Sequence, residues 1–143
     1  SSHDAIDSCN FLLHNEDSTD RKLAIATDLG YAPQILINKL KMASTIVLES
    51  NHDIKMLMEG PYEWRLKQRV KSNVGHLSNE QAVGVISRII SDRLERLILA
   101  HLSETNNCPK IAYNTMIAFL ASINAQTQLS VASQNQATPL YNV

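Results

Sequence analysis

A chain of 143 residues with 44% apolar content is long enough to bury a core, and nothing in its composition points to disorder. Its 13 basic and 14 acidic residues give a formal charge of −1, which excludes a globally basic nucleic-acid binder but not local clusters that hold phosphate. Cys9 and Cys108 show no C-x-x-C spacing, so they read as free thiols in a reducing, cytoplasmic setting. No apolar run approaches the roughly 20 residues of a membrane span and no charged-then-apolar leader opens the chain; a soluble protein without membrane contact is expected. The chain reaches His3 almost at once after Ser1, and its beginning reads as a cut through something longer.

In chain order, Asn10-Phe-Leu-Leu-His14 and Leu23-Ala-Ile-Ala-Thr27 read as two strands of a hairpin joined by the polar turn Asn15 to Asp20. Pro33 to Lys41 suits a short helix, with proline in its first turn and Ile35, Leu36 and Leu40 on one face. Thr45-Ile-Val-Leu-Glu49 is the pattern of a strand covered on both faces. Helices are expected near Asp53 to Met58, over about Tyr62 to Ser72, and from Ser78, where Ser78 and Gln81 fit a capping box. That last helix carries Ala82, Val85, Ile86, Ile89 and Ile90 at helical spacing and leads into the strand Leu97 to Ala100. Pro109 opens an amphipathic helix with Ala112, Met116, Phe119 and Leu120 on its apolar face, and the polar tail holds at most one more strand, Gln128 to Ala132. Strands alternating with helices indicate a layered α/β domain.

Several polar residues punctuate these elements. Asp28 and His101 each follow an apolar strand and would reach the same sheet edge, where carboxylate and imidazole can share a divalent cation; His3 is a third candidate. A turn-capping aspartate and a satisfied core histidine are the plainer alternatives. The polar loop after His101 offers orienting partners for its second ring nitrogen. Glu49 ends the most buried strand, so its carboxylate must be paired, hydrogen-bonded or near a metal. Asn51, His52 and Asp53 crowd beside it, with an N-cap by Asn51 or Asp53 as the structural alternative. His76 follows Gly75, which allows close backbone approach, and Glu49 with His76 would form a dyad suited to protonating a leaving group; an exposed loop imidazole is the alternative. His14 reads as solvent-exposed. From Tyr62 to Lys71 runs a basic helix with Tyr62 and Trp64, suited to a phosphate backbone and a stacked base, or simply a solvated face.

Six stretches together resemble the metallo-β-lactamase superfamily, most closely its WalJ/YycJ-like branch of bacterial hydrolases. They are Ser2-His-Asp-Ala5, Ala26-Thr-Asp-Leu-Gly30, Leu48-Glu-Ser-Asn-His-Asp53, Gly60-Pro-Tyr62 with Leu66-Lys-Gln-Arg69, Gly75-His-Leu-Ser-Asn79 and Leu99 to Asn107. The resemblance implies an α/β fold, the αββα sandwich, of which residues 1–143 look like the C-terminal half of one domain. It implies His3, a bridging Asp28 and His101 as metal ligands, Glu49 and His76 as a catalytic pair, and Asn51 and His52 lining the substrate pocket. Two divalent ions, zinc, manganese or iron, are implied as cofactors.

The family's H-x-H-x-D-H signature does not occur in these residues, and Ser8 stands where this branch has proline. The missing ligands are therefore expected from an absent N-terminal half or another subunit. The expected function is a metal-dependent hydrolase, a phosphodiesterase or nuclease acting on single-stranded DNA or RNA. Two alternatives remain: hydrolysis of a small-molecule phosphodiester or thioester, and an inactive module that associates with a partner or a second copy through exposed sheet.

Overall fold

The computed structural model describes residues 9–15 and 18–141, so His3 lies outside the described residues. Five strands form one sheet in the order β1-β2-β3-β4-β5. The strands are β1 (Phe11–Asn15), β2 (Ser18–Ala26), β3 (Thr45–Glu49), β4 (Arg96–Ala100) and β5 (Gln128–Val131). Helices α1 (Gln34–Leu40), α2 (Ile54–Glu59), α3 (Trp64–Lys71), α4 (Asn79–Ser87) and α5 (Pro109–Ser122) lie between them. β1 and β2 pair antiparallel, and β2 through β5 are parallel. The expected α/β class is therefore observed.

The register aligns Ala24, Ile46, Leu97 and Leu129, then Ala26, Leu48, Leu99 and Val131. These residues meet Ile37 and Leu40 of α1, Ala82, Val85 and Ile86 of α4, and Ala112, Met116 and Leu120 of α5 in a continuous core. Each parallel crossover steps one strand in the same direction, and a constant right-handed crossover then puts the covering helices on one face of the sheet. Residues at alternate register positions, Phe11, Leu13, Leu23, Ile25 and Val47, point to the other face. Phe11 and Leu13 remain about half exposed there, at 52% and 50%.

Two elements differ from the sequence expectation. β2 begins at Ser18, so part of the expected polar turn is strand. Its hydrophilic residues lack the alternation that signals a strand; Ser18 pairs with Asn15 and Lys22 with His14 across an irregularity in the β1–β2 ladder. α4 stops at Ser87, where Ile89 and Ile90 both donate to the carbonyl of Ile86. Arg88, the C-cap, turns away to Ala32 O and the Gln34 side chain at 3.3 and 2.9 Å. Ile89 still reaches the core, though from a turn rather than a helix. The capping box is present as read, with Ser78 Oγ accepting from Gln81 N and Gln81 Oε1 from Ser78 N.

The turn at 72–75 positions His76. His76 N donates to Val70 O at 3.0 Å and Gly75 N to Ser72 O at 2.9 Å, which folds the turn back onto the end of α3. A Cβ on Gly75 would stand 2.1 Å from Val70 O and 2.3 Å from Arg69 O; one on Gly30 would stand 2.0 Å from Asn73 O. The turn is thus pressed against Gly30, two residues after Asp28, and through its own Gly75 against the end of α3. Because the obstructing atoms are backbone, no rotamer change relieves the overlap. Gly75→Ala is expected to lower stability by about 2–3 kcal/mol, the upper part of the range for overpacked sites. A urea unfolding midpoint equal to that of the parent would refute this close contact.

Candidate metal centre

β2, β3 and β4 run parallel, so their C-terminal ends share one sheet edge. Asp28 follows β2, Glu49 ends β3 and His101 follows β4. This edge is where open parallel sheets place their ligands. The turn at 72–75 adds His76 from the side. Asp28, Glu49, His76 and His101 each offer one ligand atom, all within 4.8 Å of one another.

Glu49 organises the group. Its side chain is fully buried, and Oε1 accepts from His76 Nδ1 and from His101 Nδ1, each at 2.7 Å. Oε2 accepts from the backbone N–H of Leu29 at 2.9 Å and of Leu77 at 3.1 Å. A carboxylate has about four lone-pair sites, and here all four are used. Burial alone would raise the Glu49 pKa; the bonds from His101, His76 and the Leu77 and Leu29 amides outweigh it and hold the carboxyl at about 2.

An ionised carboxylate only accepts, so both histidines present Nδ1–H to Glu49. When either ring is neutral, its Nε2 carries the lone pair, the form that binds a cation or takes a proton. His101 Nε2 lies 3.9 Å from Asp28 Oδ1. The hydrogen bond to Glu49 raises the His101 pKa against the opposing effect of burial, and the Glu49 and Asp28 charges add to the rise. The two rings lie 5.2 Å apart at 59°. Asp28 and His101 side chains are 39% and 42% exposed, so the open side of the group faces solvent over a buried anion.

Asp28 and His101 both adopt left-handed backbone, with φ of 57° and 58°. Such conformations are strained for residues with a Cβ and persist only where surrounding contacts hold them. At His101 the restraint is visible: Asn51 Nδ2 donates to His101 O at 2.9 Å, while Asn51 N bonds Leu77 O and Asn51 O accepts from Ser103 N. Asn51 thus clamps the strands' loops together. Asp53, not Asn51, caps α2, accepting from Met56 N at 2.8 Å.

The arrangement brings together Asp28, His101, Glu49 and His76. The orienting partner of His101 is Glu49, not the loop that follows it; in that loop Asn107 instead joins Asn79 and Ser50 in a buried network with bonds of 2.6–3.0 Å. Sequence reasoning did not single out that network, whose members stand after β3, at the first residue of α4 and just before α5 and share no local signal. Asn51 lines a cleft with His76 and His101, whereas His52 is 1% exposed and absent from the cleft lining. Burial, reinforced by His76, lowers the His52 pKa, and neither of its ring nitrogens has a partner among the described residues. His14 is exposed, as expected. A second cavity, of about 540 Å³, lies at the opposite sheet edge near Arg96 and Gln128 and holds no such cluster of imidazoles and carboxylates.

No family model matches the chain. It is 41% identical over 111 residues to the exodeoxyribonuclease YycJ of Bacillus anthracis, covering 78% of this chain and 41% of that protein. It is 34% identical over 146 residues to the exodeoxyribonuclease WalJ of Streptococcus pneumoniae serotype 2 strain D39, covering 99% of this chain and 53% of that protein. The chain spans about half the length of the curated relatives it matches, and along nearly all of its own length it is similar to proteins named exodeoxyribonuclease.

Proposed function

We propose that the protein carrying this chain is a metal-dependent hydrolase that cleaves phosphodiester bonds of single-stranded nucleic acid, DNA before RNA. The observation that carries this reading is the buried Glu49, which fixes two imidazoles by their Nδ1 atoms beside Asp28. Carboxylate and imidazole orienting groups of this kind accompany metal ligands. The names of the relatives, exodeoxyribonucleases YycJ and WalJ, support the substrate class.

The donor set fits a divalent cation: an exposed carboxylate and an imidazole Nε2 at one edge, with Glu49 behind them. Asp28 and His101 would hold it, and His3, outside the described residues, is proposed as a further ligand of a two-ion site. When bound, such ions offset phosphate charge and acidify the attacking water. Glu49 keeps His101 in the tautomer that donates its Nε2 lone pair. His76, with Nδ1 engaged, keeps Nε2 to exchange a proton with a leaving oxygen. Asn51 holds the His101 backbone with one amide N–H and lines the cleft beside His76 and His101, where it would also face a substrate. In this reading residues 1–143 form the C-terminal part of an αββα sandwich, and the apolar sheet face carrying Phe11 and Leu13 packs against the other half.

Three variants of the full-length protein test the reading. Asp28→Ala is expected to abolish both metal retention, measured by elemental analysis, and DNA hydrolysis; a variant that keeps its metal and turns over normally would defeat the assignment. His76→Ala should retain metal while kcat falls by about 10²–10⁴, the range for a lost general acid or base. Loss of metal in that variant would instead move His76 into the ligand set. Replacing Arg65, Lys67 and Arg69 together with glutamine is expected to raise KM for DNA and flatten its dependence on salt. Unchanged DNA kinetics at every ionic strength would favour a small phosphodiester or thioester substrate.

A further inference from the structure

α3 buries none of its residues, yet it has an apolar stripe. Tyr62, just before the helix, and Leu66 and Val70 within it recur every four positions, which puts them on one side. All three line the cleft that also holds His76 and His101, and the cleft measures about 1020 Å³. That is at the upper end of the range of about 300–1,000 Å³ for small-molecule sites. Trp64 is 63% exposed and is not part of the cleft lining, so the two aromatic residues paired by the sequence reading have different surroundings.

The charges on α3 are all of one sign: Arg65, Lys67, Arg69 and Lys71, with no acidic residue inside the helix. Lys67 Nζ also donates to Met58 O at 2.7 Å, which ties the helix to α2. Near its C-terminal end the bond from His76 N to Val70 O fixes the Val70 end of the stripe relative to the proposed catalytic imidazole. An apolar stripe with one aromatic ring, beside cations, matches a chain that alternates flat bases with phosphates. A small apolar ligand would use the stripe but not the cations.

We infer that Tyr62, in line with Leu66 and Val70 on one side of α3, forms a base-stacking subsite that seats a nucleobase of the single-stranded DNA end held in this cleft. This rests on the nuclease reading above and adds to it a positioning residue. Stacking on an aromatic side chain contributes about 1–3 kcal/mol per base, roughly a five- to 150-fold effect on binding.

The test compares KM of the full-length protein for an oligothymidylate and for a matched oligomer whose terminal nucleotides at both ends are abasic. The parent protein should bind the oligothymidylate at least about fivefold more tightly. Tyr62→Ala, or Tyr62→Leu should the alanine variant not fold, is expected to bring the two KM values within about twofold of each other, and Tyr62→Phe to restore the difference. A parent-like ratio in both the Ala and the Leu variant would overturn the subsite while leaving the nuclease reading intact. Loss of the ratio in Trp64→Ala with its retention in Tyr62→Ala would also overturn it, by moving the stacking to the exposed ring. A parent protein that cleaves neither oligomer would overturn the nuclease reading and the subsite with it.

Discussion

The carboxylate of Glu49 is the constraint on which the edge of this sheet depends. An anion removed from water is tolerated only if its hydrogen-bonding capacity is filled, and Glu49 fills it with four bonds from three segments of the chain. Leu29 N belongs to the loop after β2, Leu77 N and His76 Nδ1 to the segment before α4, and His101 Nδ1 to the loop after β4. Loops that a parallel sheet merely brings near one another are thereby joined at one point. The same four bonds set the charge of the group: an anion that would otherwise protonate on burial stays ionised and so dictates the tautomer of both imidazoles.

Around this anchor the scaffold is rigid where the chemistry is proposed and sparsely held where substrate is proposed to bind. The left-handed backbone of His101 is restrained by Asn51, and the neighbouring Ser50 bonds with Asn79 and Asn107 in a buried network. Networks of that kind specify one arrangement because leaving any member unpaired is costly. α3, in contrast, buries no residue and is tied to its surroundings by the Lys67 side chain on Met58 O and by the bond from His76 N to Val70 O. Few buried contacts mark a segment of low local stability, a property shared by many binding elements.

Much of the fold was legible because its signals are local. The buried run of β3, the capping box at Ser78 and the proline opening α5 each act over a few residues and appear where expected. The strand over Ser18 to Lys22 was not legible, since polar hairpin residues carry no hydrophobic alternation. The early end of α4 was hidden as well, because Ile89 keeps helical spacing while reaching the core from a turn. In the candidate site, Asp28 and His101 could be placed at one edge from strand-end logic, and Glu49 had to find partners because a carboxylate ends a buried strand. The depth of His52 and the clamp formed by Asn51 depend on which loops pack together, which no spacing encodes.

The sequence by itself determined which chemical groups stand at the strand ends, through apolar periodicity interrupted by single polar residues, and that Gly75 would let backbone approach closely. Only the tertiary structure decided that one oxygen of Glu49 serves two imidazoles. Those partners lie 27 and 52 residues away along the chain; His101 arrives because β3 and β4 are adjacent and parallel, and His76 because the turn at 72–75 folds back onto α3, relations set by packing rather than by any local pattern.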